Sequence, residues 1–154
     1  MKVKDLMTVE PGYCGLDDTL AKAAEIMSAR DCGVVPVVDA ELRVVGIITD
    51  RDICMAAAAR NKKLKEIKAA DVIKGKIVTC RPDDGIADVL KKMKKGQLRR
   101  LAVTDGNKRL TGIISIRDII FAPGKSKAVK KKIFAALREI GRPGAIVLHE
   151  IDER

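Results

Sequence analysis

Gly46-Ile-Ile-Thr-Asp-Arg-Asp52 and Gly112-Ile-Ile-Ser-Ile-Arg-Asp118 carry one pattern: an apolar run ends in a hydroxyl residue, and an aspartate follows three positions on. The two copies lie 66 residues apart, and the same offset pairs Asp39 with Asp105, Met27 with Met93, Asp17-Asp18 with Asp83-Asp84 and Asp5 with Asp71. No gap is needed from residue 3 to residue 123, and 16 of the 55 aligned pairs are identical. Such a duplication predicts two copies of one supersecondary unit, and it sets the architecture before any local reading does.

Within each copy the apolar period switches between strand and helix. After a short extended segment, Asp17-Asp18-Thr19 supplies N-cap chemistry, and Leu20, Ala23, Ala24 and Met27 form a helical stripe that Ile86, Val89, Leu90 and Met93 repeat. Val34-Val-Pro-Val-Val38, the polar turn Asp39 to Arg43, and Val44 to Ile48 read as a β-hairpin, matched by Leu101-Ala-Val, Asp105-Gly-Asn-Lys and Leu110 to Ile114. A second helix begins at Asp50 behind a Thr49 cap and runs to about Ala59, with a possible extension towards Ala70 through Leu64 and Ile67; its partner begins near Ile116. Each unit is β-α-β-β-α. A short sheet with both helices on one face leaves its other surface poorly covered, so the two units are expected to pack on each other.

The expected class is therefore α/β, of the α+β kind. Residues 1–60 form the first repeat, 61–68 a linker, 69–123 the second repeat and 124–154 a C-terminal helix and strand-like tail. In that tail Val129, Ile133, Phe134, Leu137 and Ile140 make an apolar stripe among lysines, Gly141 and Pro143 end the helix, and Ala145 to Ile151 has strand character.

Composition narrows the function. No apolar run approaches the roughly 18 residues of a membrane span, and the first residues lack a signal peptide's apolar core, so a cytoplasmic protein with no membrane partner is expected. Cys14, Cys32, Cys54 and Cys80 are widely spaced and His149 is the single histidine, which suggests neither a disulfide framework nor a metal site. The net charge of +10 favours an anionic ligand or partner without naming it. The lysine clusters at 62–65, 91–95 and 130–132 read as solvated helix faces.

The repeated element has two readings. Thr49 with Asp52, and Ser115 with Asp118, have the spacing of a capping box, which alone would explain them. The same groups, at a helix N-terminus with its unpaired N–H groups, could instead offer a hydroxyl to phosphate and a carboxylate to ribose hydroxyls. Gly46 and Gly112 would admit a ligand or a neighbouring backbone.

Two β-α-β-β-α units of this length end in Gly-Ile-Ile-[Thr/Ser]-x-Arg-Asp-Ile and are preceded by Val-Pro-Val-Val-Asp39 or Leu-Ala-Val-Thr-Asp105. They resemble a tandem pair of CBS domains, a Bateman module, and the segments Val3 to Thr8 and Ala70 to Ile73 look like that family's opening. The resemblance covers residues 3 to about 123. It implies a pseudo-two-fold pair with two composite clefts for adenosine-type ligands. The first would combine Thr49, Arg51 and Asp52 with Val78, Thr79, Cys80 and with Arg99, Arg100, Leu101, Ala102. The second would combine Ser115, Arg117 and Asp118 with Tyr13, Cys14, Gly15 and with Gly33, Val34, Val35, Pro36. Arg99 and Arg100 stand where nucleotide-binding relatives place basic residues against phosphates, so the Thr49/Asp52 cleft is expected to take the more highly charged ligand. Ala102, where the first copy has Pro36, departs from the family pattern in the adenine pocket.

The reading is a regulatory sensor module that binds AMP, ADP or ATP, with or without Mg²⁺, needs no cofactor, forms a homodimer and acts on a separate regulated protein. The competing class is a basic nucleic-acid-binding or scaffold protein that uses the pair for dimerisation; Tyr13, Phe121 and Phe134 are its only stacking platforms. An enzyme fits least. The chain is too short for the roughly 250-residue barrel that accompanies CBS pairs in IMP dehydrogenases, and it presents no nucleophile and base pair.

Overall fold

Strict alternation of apolar side chains turns Val44–Thr49 into a strand with every second residue buried. Val34–Val38, buried at all its positions, is covered on both faces. These two strands form the centre of the first half in the computed structural model, which describes residues 1–142. The element order is β1 (Thr8–Val9), β2 (Cys14–Gly15), α1 (Leu20–Ala29), β3 (Val34–Val38), β4 (Val44–Thr49), α2 (Asp50–Arg60), β5 (Thr79–Cys80), α3 (Ile86–Gly96), β6 (Arg100–Thr104), β7 (Leu110–Ser115), α4 (Ile116–Phe121) and α5 (Lys127–Ile140). The β-α-β-β-α unit therefore occurs twice, as β2 to α2 and as β5 to α4.

The sheets are β2-β3-β4 and β1-β7-β6-β5. In each, the short first strand runs parallel to the next and the hairpin is antiparallel, with Val34 opposite Thr49 and Arg100 opposite Ser115. One core holds Leu20, Val35, Ile48 and Ile67, and the other Leu90, Met93, Leu101 and Ile114. A smaller cluster of Val38, Val44 and Ala102 joins the sheets.

A pseudo-two-fold axis is visible in the hydrogen bonds. Val44 N–H donates to the Lys108 carbonyl and Leu110 N–H to the Leu42 carbonyl, both at 3.0 Å, and Arg43 faces Arg109 between them. The segments leading into each repeat are exchanged. Val3 N–H donates to Asp84 O (3.0 Å) and Lys4 N–H to Pro82 O (2.9 Å), just as Ala69 N–H donates to Asp18 O (2.7 Å) and Ala70 N–H to Leu16 O (3.0 Å). Val3 is thereby buried in the second core and Ala69 in the first. Even the ion pairs repeat: Lys2 Nζ meets Asp83 at 3.0 Å and Lys68 Nζ meets Asp17 at 2.8 Å. Each half completes the other, so neither is an independent unit.

Two expectations are corrected. Helix α2 does not extend towards Ala70: it stops at Arg60, where Asn61 adopts the left-handed conformation with φ 48°, and single turns at Leu64–Glu66 and Ala69–Asp71 follow. In α5, Ile133 and Ala136 are buried against the second core, whereas Phe134 is 65% exposed and Leu137 39% exposed. The inward face is thus Val129, Ile133, Ala136 and Ile140, because spacings of four, three and four residues keep one side of a helix. The expected strand at Ala145 to Ile151, with His149, lies outside the described residues. No described helix is long and apolar enough to cross a membrane.

Candidate functional site

The hydroxyl and carboxylate of each repeated element are first of all a helix cap. Thr49 N–H donates to Asp52 Oδ2 at 2.8 Å, Thr49 Oγ1 donates to the same oxygen at 2.8 Å, and Asp52 N–H donates back to Thr49 Oγ1 at 3.2 Å. Ser115 and Asp118 reproduce this at 2.7, 2.8 and 3.2 Å. Capping occupies the hydroxyl and one carboxylate oxygen, and leaves Asp52 Oδ1 to accept from a ligand. The glycines serve the chain itself. A Cβ on Gly46 would meet Ile73 Cγ2 at 2.5 Å, and one on Gly112 would meet the Thr8 carbonyl at 2.9 Å. The close neighbour is in each case the segment leading into a repeat.

Around the first element the sheets part to leave a cavity of about 600 Å³, within the size range of small-molecule sites. Its walls come from Gly46, Ile47 and Thr49 to Asp52, from Lys74 to Val78, and from Gln97 to Arg100, with Val34 and Ile140 closing the sides. The structure thus brings Thr49, Arg51, Asp52, Val78, Arg99 and Arg100 around one space. It does not bring Thr79, Cys80, Leu101 or Ala102 into that lining. Leu101 points into the second core, as strand alternation requires of the residue after exposed Arg100, and Cys80 joins it there from the neighbouring strand; Ala102, on the same strand face as Arg100, is buried in the cluster between the sheets. Burial pushes the thiols of Cys80 and its counterpart Cys14 up to about 11.

The expected second cleft is not assembled in the same way. Tyr13 lines a separate cavity of about 300 Å³ with Glu10, Pro11, Arg30, Val38, Leu42 and Leu110, and neither Ser115 nor Asp118 reaches it. Cys14, Val35 and Pro36 are buried, Gly15 is half-buried, and Val34 belongs to the lining of the first cavity. Arg117 lies over the Phe121 ring on its own helix, 5.9 Å from the centroid. The cause is β1, which pairs Thr8 with Ile113 and Val9 with Gly112 along β7. Its counterpart, Lys74-Gly75, leaves the outer edge of β4 unpaired because Gly75 turns away at φ +73°, a conformation glycine adopts without strain.

Charge separates the two ends further. The first cavity is lined by five cations, Arg51, Lys74, Lys76, Arg99 and Arg100, against two carboxylates, Asp50 and Asp52. The positions 66 residues away from Lys74, Lys76, Arg99 and Arg100 hold Thr8, Glu10, Gly33 and Val34. Among the described residues none of the five cationic side chains makes an ion pair or hydrogen bond, whereas Lys2, Lys4, Arg43, Arg60, Lys68 and Lys92 all have acidic partners. The sequence reading missed Lys74, Lys76, Gln97, Leu98 and Ile140. Comparing the charges of the two copies position by position would have found both lysines.

Fold and cleft together define a duplicated α/β module with a cationic cavity between its sheets. The chain belongs to the CBS domain family: the family model described as CBS domain matches residues 3–59 and 69–125. Similar proteins include the uncharacterised YlbB of Bacillus subtilis, 40% identical over 77% of this chain and 79% of that protein. The inosine-5'-monophosphate dehydrogenase of Methanocaldococcus jannaschii is 36% identical over 77% of this chain but over only 22% of that enzyme. Among solved structures, the CBS domain pair of protein MJ0100 in complex with 5'-methylthioadenosine and S-adenosyl-L-methionine has a TM-score of 0.68 and 30% identity, covering 78% of this chain and 97% of that one.

Proposed function

We propose that the chain is a regulatory module whose cavity at Thr49 and Asp52 binds an adenine nucleotide, AMP, ADP or ATP. The observation that carries this reading is the set of five cations around one space, none of them paired among the described residues. Like charges held together without counter-ions repel, and an anionic ligand relieves that repulsion. Guanidinium groups at Arg99 and Arg100 offer phosphate several charge-assisted hydrogen bonds, and the N-terminus of the 11-residue α2 adds a partial positive charge. Asp52 Oδ1 is the acceptor for the ribose hydroxyls. The similarity to a CBS pair that binds adenosine derivatives supports the nucleoside. S-adenosylmethionine, itself a cation at its sulfonium, suits these walls less well than a phosphate ester.

Signalling follows from geometry. The cavity walls come from both halves, so a ligand that grips them together biases how the halves pack. Met55 and Phe121, at equivalent positions of α2 and α4, are 58% and 77% exposed, which supports a homodimer through these helices. Calorimetric titration tests the reading. Wild type should bind at least one of AMP, ADP and ATP, and Asp52→Ala should weaken it about 10-fold, the worth of one hydrogen bond to a charged group. Unchanged binding by the variant would remove Asp52 from the site.

A further inference from the structure

We propose that Lys74-Gly75-Lys76 is a phosphate-counting strap, which makes the cavity select nucleoside di- and triphosphates over monophosphates; this rests on the adenine-nucleotide reading above. The segment is anchored at both ends and free between them. Ile73 packs into the first core against Gly46, and Ile77 packs into the cluster between the sheets. Among the described residues, the three in between make no backbone or side-chain hydrogen bond to the rest of the chain. They nevertheless form one wall of the cavity, and Arg99 and Arg100 stand in another.

The other copy shows what this segment is when it has no such role. Of Thr8-Val9-Glu10, 66 residues earlier, Thr8 and Val9 pair with β7 as a strand, and Glu10, just past the strand at φ 48°, puts an acid where the strap has Lys76. The strap differs in three ways that all serve an anion. Gly75 at φ +73° lifts it off β4, the space beneath stays open, and two lysines line it.

The two kinds of cation divide the work. Arg100 opens β6 opposite Ser115, and the carbonyl of Arg99 just before it accepts from Ile116 N–H at 2.9 Å, so their planar forks stand on a fixed backbone and suit one fixed phosphate. Lysine is a point charge on a flexible stem, here on a backbone with no hydrogen bonds to lose, so it can follow a phosphate chain of variable length. The phosphate next to the ribose therefore meets the arginines, and each further phosphate meets the strap.

The test is calorimetric titration of AMP, ADP and ATP into wild type, Lys74→Ala/Lys76→Ala and Gly75→Val, at one salt concentration. Wild type should bind ADP and ATP at least about 10-fold more tightly than AMP, as one to two charge-assisted contacts imply. The lysine double variant should lose about that factor for ADP and ATP and change less than about threefold for AMP. Gly75→Val, which installs the residue of the paired copy, should lose the same preference by favouring pairing with β4. Circular dichroism should show both variants folded, because the strap's side chains are exposed. Equal affinity for all three nucleotides in wild type, or equal loss for all three in the double variant, overturns the strap and leaves the cleft reading standing. Failure of every adenine nucleotide to bind wild type overturns the cleft reading itself.

Discussion

The Thr49/Asp52 and Ser115/Asp118 ends of the molecule share a capping box to within 0.1 Å, yet among the described residues it is the first that opens onto a cavity lined by five cations. The difference lies outside the repeated motif. At one end the segment leading into the repeat is a strand that seals the sheet edge; at the other it turns away at Gly75 and contributes lysines. A motif that looks like a binding signature thus performs a helix-capping task at both ends. Whether it also faces a ligand is decided by the chain that passes over it. Duplication keeps the scaffold, and divergence in a few covering residues separates the sites.

This contrast can be broken most decisively at its arginines. Replacing both, as Arg99→Ala/Arg100→Ala, should weaken nucleotide binding by about 100-fold or more, since hydrogen bonds to charged groups contribute about 1.5–3 kcal/mol each. The thermal midpoint should change little, because both side chains are exposed and have no partner among the described residues. A smaller effect separates capping from binding. Asp118→Ala and Asp52→Ala should each lower stability by about 1 kcal/mol through loss of a cap, while only Asp52→Ala lowers nucleotide affinity. Parallel denaturation and titration of the two variants would read both quantities. If Asp118→Ala weakened binding as much, the two ends would be functionally equivalent after all.

The smallest effect concerns the ion pairs of the exchanged segments. Hydrogen bonds from Lys4 and Lys2 hold the Asp83 carboxyl down to about 2, and the hydrogen bond from Lys68 holds Asp17 below its ordinary value as well. A carboxylate depressed by folding adds stability above its unfolded pKa and loses it as the pH falls through the folded one. The contribution from Asp83 should therefore be complete above about pH 5 and vanish on approaching pH 2. Melting curves of Asp83→Asn should fall below wild type at neutral pH and merge with it in acid. Asp17→Asn, which loses one lysine rather than two, should show the same trend with a smaller gap.

Much of this architecture was legible in the chain. The gap-free offset of 66, read with ordinary strand and helix periods, yields two β-α-β-β-α units, the hairpin turns at Asp39 and Asp105, and the caps at Thr49 and Ser115. It could not yield the exchange of leading segments. Val3 looks like a strand residue of its own repeat, and only the three-dimensional path places it in the other core. The site was legible in part for the same reason. Arg99 and Arg100 stood out by charge, whereas Cys80, Leu101 and Ala102 came with the family resemblance; alternation turns Leu101 to the face opposite Arg100, and Ala102, on the same face as Arg100, is buried between the sheets. Lys74 and Lys76 were not singled out in the sequence, since nothing local marks a segment that leaves a sheet edge except Gly75. Ile140 joins the cavity across a helix packing that periodicity cannot place.

The central claim is that the cleft completed by Arg99 and Arg100, and not its pseudo-symmetric counterpart, is the nucleotide site. A crystal structure of the chain with ADP tests it most directly. The account predicts one nucleotide per chain, its ribose on Asp52 and its phosphates between Arg99, Arg100 and the Lys74–Lys76 strap. A nucleotide bound at Ser115 and Asp118, with the first cavity empty, would contradict it.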